Sequence, residues 1–86
     1  MSDEDLRQRV RNVLREHARL GVDVGTLPDD GDLYQAGMNS RASVSVMLGL
    51  EGEFGIEFPD AMLRRDAFES VTAIADAVRG LLAPVA

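Results

Sequence analysis

Cysteine is absent from this 86-residue sequence. That excludes disulfides, thiolate metal sites and a cysteine nucleophile. It also means that thioester chemistry needs a thiol supplied by a cofactor. Long apolar runs are missing too, and none approaches the ~20 residues needed to cross a bilayer as a helix. The first residues, Met1-Ser2-Asp3-Glu4-Asp5, are acidic and lack the apolar core of a signal peptide. The expectation is a soluble, cytoplasmic protein that makes no use of a membrane. Basic residues are missing from positions 21–39, which hold four aspartates. No alternating strand pattern, internal repeat or low-complexity tract is present.

What remains is a chain of ordinary apolar content (45%) and a formal net charge of −6. Such a length implies one small domain, residues 1–86, with a limited core. The charge is uneven. Residues 1–20 carry five arginines against four acids, and residues 40–60 carry four acids against Arg41 alone. Counted along the chain, negative charge surrounds position 40. Nucleic acid is disfavoured as a partner, and a basic protein surface is favoured.

Helical periodicity dominates. Ser2 can cap a first helix from about Asp3 to Leu20, with Leu6, Val10, Val13, Leu14 and Ala18 on one stripe and Gly21 as its stop. Arg7, Arg11, Arg15 and Glu16 read as its solvated face. A glycine-punctuated connection comes next, pinned by Val22, Val24, Leu27, Leu33 and Tyr34. Its aspartates do not form an EF-hand. A loop opening at Asp30 needs glycine at position 35 and glutamate at position 41, and the chain has Gln35 and Arg41.

Asn39 is placed to cap a second helix from Ser40 to Gly55. At 100° per residue, Ser43, Val46, Met47, Leu50 and Phe54 share the expected core face. Arg41, Val44, Ser45, Leu48 and Gly52 share the opposite one. Val44 and Leu48 are either a docking patch or are covered by the long loop or a later helix. Asp60 to Phe68 suits a short third helix with Ala61, Met62, Leu63 and Phe68 touching the core. Ser70 caps a last helix through about Leu82, with Val71, Ile74, Ala75, Val78, Leu81 and Leu82 inward and Pro84 beyond its end. The expected fold is all-α, a small four-helix bundle of three main helices and one short one, with a long first loop.

No catalytic or metal constellation is legible, so an enzyme is not expected. His17 is the single histidine, with nothing to bring it to Ser40, and Glu51, Glu53 and Glu57 face different ways. On position alone, Ser40 is a helix-capping or first-turn serine.

The motif Asp32-Leu33-Tyr34-x-x-Gly37-Met38-Asn39-Ser40 resembles the attachment site of acyl carrier proteins. The resemblance continues through Leu50-Glu51-x-Glu53-Phe54-Gly55-Ile56-Glu57-Phe58-Pro59-Asp60 and Ser70-Val71-x-x-Ile74. It implies that Ser40 bears 4′-phosphopantetheine, covalently attached from coenzyme A by a phosphopantetheinyl transferase. It implies that an activated acyl or aminoacyl group is then held as a thioester, and that Asn39 takes part in the attachment motif. The same resemblance favours docking as the role of Arg41, Val44, Ser45, Leu48 and Gly52.

Two departures stand out. Asn39 occupies a position where most family members have aspartate, and Arg41 one where most have an apolar residue. With Ser45, Gly49 and Gly52, they make the chain similar to stand-alone bacterial carriers loaded by amino acid:carrier protein ligases, with a downstream acyltransferase as the next partner. Phe54, Phe58 and Phe68 would fill the inter-helix space and favour short or polar cargo. The alternatives are an acyl carrier for fatty-acid or polyketide synthesis, or an unmodified helical interaction module.

Overall fold

A computed structural model describes residues 2–82. It contains three α-helices, α1 (Asp3–His17), α2 (Ser40–Phe54) and α3 (Val71–Leu82), joined by segments that include short 3₁₀ turns. There is no strand among the described residues, and no helix there is long and apolar enough to cross a membrane.

Helix α1 begins as its sequence dictates. The Ser2 side chain accepts a hydrogen bond from the Asp5 N–H at 3.1 Å, and Asp3, Glu4 and Asp5 sit against the positive end of the helix dipole. Leu6, Val10, Val13, Leu14 and Ala18 are all buried. The helix stops earlier than expected, at His17 rather than near Leu20. Arg19 takes the left-handed conformation, φ 53°, that usually falls to glycine after a helix end. The chain reverses there, two residues before Gly21, and Leu20 packs against the core.

The α1–α2 connection is held mainly by Arg11. Its guanidinium donates to the carbonyls of Val24 (2.6 Å) and Leu27 (2.9 Å) and to Asp29 Oδ1 (2.6 Å). Its side chain is 14% exposed, so the expectation of a solvated residue is wrong here. An arginine stem can lie along apolar surface while its planar head satisfies several loop acceptors. Two backbone bonds fasten the same loop to the α3 end: Leu33 N–H to Glu69 O (2.7 Å) and Thr72 N–H to Asp29 O (2.9 Å). Leu33 is fully buried and Met38 nearly so, whereas Val22 stays exposed.

Helix α2 has its core side turned towards Ala42. Ala42, Val46, Leu50 and Phe54 are buried at steps of four, while Ser43 and Met47, expected inward, are half-buried. Gly49 faces α1: a Cβ there would lie 2.6 Å from His17 Cδ2 and 3.0 Å from Val13 Cγ1. Its missing side chain permits close packing of the two helices, so it is not part of an outward face. Gly55, at φ 63°, ends α2 in the left-handed cap.

The expected third helix is instead two 3₁₀ turns, Asp60–Met62 and Arg65–Phe68, separated by an extended Arg64. Only Phe68 is buried there; Met62 packs from the side, and Ala61 and Leu63 are exposed. Without a continuous apolar stripe, nothing favours a regular helix over turns. Phe58 and Phe68 pair with ring centroids 5.4 Å apart, and Phe54 joins them in the core. Ser70 caps α3 by accepting from the Ala73 N–H at 3.0 Å. Val71, Ile74, Ala75 and Val78 are buried, Leu81 packs at the edge, and Leu82, expected inward, is exposed. Pro84 lies outside the described residues.

Replacing Arg11 by methionine keeps much of the stem but removes all three bonds to the loop. A stability loss of about 2–3 kcal/mol is expected, since hydrogen bonds to a charged group contribute about that much. Urea unfolding measures it, and the Leu33 and Thr72 amides should exchange faster with solvent. A loss under about 0.5 kcal/mol would contradict the loop-clamp role.

Candidate functional site

The loop delivers Ser40 to the lip of α2. Asp32 Oδ1 accepts from the N–H groups of Tyr34 (2.9 Å) and Gln35 (3.3 Å), folding the turn that precedes it. Gly37 adopts φ 119°, a conformation that side chains disfavour, and a Cβ there would lie 3.5 Å from the Gly21 N. Asn39 then caps α2, its Oδ1 accepting from the Ala42 N–H at 2.8 Å. Ser40 is left exposed as the first residue of the helix. Its carbonyl accepts from Ser43 Oγ at 2.8 Å, while its own hydroxyl has no hydrogen-bond partner among the described residues. That hydroxyl is free to become an ester oxygen.

A groove of about 340 Å³ opens on one side of Ser40, between α2 and the 3₁₀ turns. Val44, Met47, Leu63 and Phe68 supply its apolar wall, and Arg64 and Arg65 its charge. The Arg65 guanidinium lies 3.8 Å from the centre of the Tyr34 ring, and the Tyr34 hydroxyl donates to the Arg65 carbonyl at 3.0 Å. A smaller cleft of about 280 Å³ has His17, Arg19, Asn39, Arg41 and Ser45 on its walls.

Neither opening is lined by an aspartate or glutamate. Acids stand just behind these walls: Asp32 and Glu69 act on Tyr34, and Asp66 pairs with Arg64 at 3.1 Å. Other acids are used elsewhere. Asp29 pairs with Arg7 and Arg11, Glu53 with Arg9, and Glu51 accepts from the Phe58 N–H. Folding carries Arg19, Arg64 and Arg65 to the rim from distant positions. Sequence reasoning missed all three, and no periodicity or motif marks them.

The other expected site residues are where a surface would need them. Arg41 and Gly52 are exposed, Val44 and Leu48 are 54% and 57% exposed, and Ser45 is half-buried. A Cβ on Gly52 would meet open space. Neither the loop nor the segment 60–68 expected to form the third helix covers Val44 and Leu48, since both stay more than half exposed. His17 sits against Gly49 and lines the smaller cleft, not the groove. No group of acidic or histidine residues suited to a metal occurs among the described residues.

The family model described as phosphopantetheine attachment site matches residues 6–78. The chain belongs to that family. As such it is a carrier and not itself a catalyst, and the cofactor it accommodates is phosphopantetheine. It is 47% identical over 73 residues to the aminoacyl carrier protein of Agrobacterium fabrum (strain C58), covering 85% of this chain and 88% of that one. It also matches a chain in the crystal structure of an engineered Bradyrhizobium japonicum glycine:[carrier protein] ligase complexed with carrier protein from Agrobacterium tumefaciens and AMP. There the TM-score is 0.83 at 45% identity, covering 85% of this chain and 97% of the other. A solution structure of an Agrobacterium tumefaciens protein gives a TM-score of 0.71 at 45% identity, covering 88% and 92% of the two chains. The all-helical carrier architecture expected from the sequence is the observed one, with 3₁₀ turns in place of the short helix.

Tyr34 offers a probe of the groove because it is the only tyrosine. Partial burial pushes its pKa above the usual 10.0, and the charge of Arg65 pulls part of the way back. A raised phenol pKa favours the neutral form in the folded state. Its contribution to stability is therefore complete below the ordinary tyrosine range and is lost as pH rises through the folded-state value. Phenolate absorbance should appear at higher pH than in a free tyrosine, and later still in Arg65→Ala. A midpoint at or below 10.0 in the folded protein would contradict this.

Proposed function

We propose that Ser40 is the attachment point of the phosphopantetheine arm and that the protein carries an amino acid loaded by an amino acid:carrier protein ligase. The observation that carries the first part is the exposed, unbonded Ser40 hydroxyl at the capped start of α2. The residues fit the group. The hydroxyl is free, the first turn of α2 favours an anion through its N–H groups and dipole, and an apolar-walled groove opens beside it. When bound, the arm supplies the thiol that this cysteine-free chain lacks.

The protein's own share is positional. A flexible arm raises the local concentration of its cargo at each partner's site. A phosphopantetheinyl transferase installs the arm on Ser40 Oγ from coenzyme A, with Asn39 holding the helix start. Arg41, Val44, Ser45, Leu48 and Gly52 form the face that the ligase and a downstream acyltransferase meet, in the cytoplasm. Two large exposed apolar side chains next to an arginine have the composition of an interface centre. Similarity to an aminoacyl carrier protein and to a carrier complexed with a glycine ligase supports the choice of cargo. The filled space between the helices, where Phe54, Phe58 and Phe68 are buried, supports it too.

The test is loading. After modification with coenzyme A and a broad transferase, the protein is offered ATP and glycine with an amino acid:carrier protein ligase, or fatty acid with an acyl carrier protein synthetase. Intact mass should show a hydroxylamine-labile aminoacyl adduct in the first reaction and little in the second. Leu48→Ala should lower loading by roughly tenfold, the effect of losing one well-packed interface side chain, with melting unchanged. Efficient fatty acylation with no aminoacylation would refute the cargo assignment.

A further inference from the structure

All nine cationic side chains of this protein are arginines. Six are engaged: Arg7, Arg9, Arg11, Arg64 and Arg79 in ion pairs, and Arg15 in a hydrogen bond to Asn12. The other three are Arg19, Arg41 and Arg65. None of them has an ion-pair or side-chain hydrogen-bond partner among the described residues; Arg65 only stacks on Tyr34. Arg65 lines the groove that Ser40 also lines, and Arg19 and Arg41 line the smaller cleft together with Asn39, the residue before Ser40. In a protein of net charge −6, the cations without such partners are gathered at the openings beside the start of α2.

We propose that this arginine rim docks on an acidic, carboxylate-bearing protein surface, the lip around the ligase site that receives the arm. The inference rests on the carrier reading above and reverses the expectation of a basic partner. Guanidinium groups suit it because they pair with carboxylates in a two-point fork and keep their charge at any ordinary pH. The layout favours a protein over a small phosphate. Arg65 lies in the groove and Arg19 and Arg41 in the separate, smaller cleft. A single phosphate occupies one of these, whereas a protein closing over Ser40 meets both. The exposed side chains of Val44 and Leu63 line the groove together with Arg65. That arrangement gives an apolar centre with a charged rim, as in protein interfaces.

The experiment compares Arg19→Glu, Arg65→Glu, Arg19→Gln and Arg65→Gln with Arg15→Glu, which makes the same change in net charge away from the rim. Each is first converted to the arm-bearing form and then loaded by a glycine:carrier protein ligase, with melting measured alongside. At low salt KM for the carrier should rise about threefold for the glutamine variants and roughly tenfold for the glutamates. The wild-type advantage should shrink in high salt, and Arg15→Glu should behave as wild type. Faster loading of the glutamate variants would mean a basic partner, and equal loading would mean no charge contact. Either result overturns the proposal. So does an effect confined to the KM for coenzyme A in the transferase step, which would assign the arginines to phosphate. Should a glutamate variant melt early, its glutamine counterpart decides. Failure of the wild type to gain an arm or an aminoacyl group would instead count against the carrier reading itself.

Discussion

The serine's position rests on a long connection whose α1 end is clamped by one guanidinium. Arg11 reaches from α1 into the long connection and satisfies two carbonyls and a carboxylate there. Loops this long inside small domains are uncommon, because ordering them costs conformational entropy that their own contacts seldom repay. Arg11 offsets that cost from one end, and the backbone bonds to Glu69 and Asp29 do so from the other. Between the two anchors, Leu33 and Met38 are driven into the core. Asn39 and Ser40, next along the chain, have little freedom left. A hydroxyl held out to solvent is thus the product of a loop pinned at several points.

The same economy explains the electrostatics. Acidic residues outnumber arginines 15 to nine, yet several of them are engaged at the surface by arginines and backbone N–H groups. Asp29, Asp32, Glu51 and Glu53 each accept bonds that hold an element in place. Arginines with no such task are left at the rim of Ser40. Linear charge counts described residues 21–60 as negative, and did not show the arginines that folding brings to the groove and cleft walls. Proximity in space, not in sequence, decides what an approaching partner feels.

Periodicity and capping made much of the fold legible. α1, α2 and α3 begin where Ser2, Asn39 and Ser70 said they should, and α2 ends at its glycine. The apolar stripe of α1 was right at every residue. The errors have physical sources. Arg19 adopts a conformation that propensity assigns to glycine, so α1 ends early. Residues 60–68 lack a stripe, so an expected helix became two turns. Gly49, near the outward face in sequence, turns to α1 and leaves room there for His17. Ser40 and its neighbours were visible through motif and spacing. The groove walls contributed by Leu63, Arg64 and Arg65 depend on tertiary contacts between segments about 25 residues apart, which no local pattern encodes.

Three serines lie on the first two turns of α2, Ser40, Ser43 and Ser45, and they differ in what surrounds them. Ser43 Oγ already donates to the Ser40 carbonyl, and Ser45 is half-buried in the smaller cleft. Only Ser40 combines exposure with a free hydroxyl. The most direct test is fragmentation mass spectrometry of the protein after reaction with coenzyme A and a transferase. The account predicts the phosphopantetheine mass on Ser40 alone, and none in Ser40→Ala. An arm on Ser43 or Ser45, or no arm with several transferases, would contradict it.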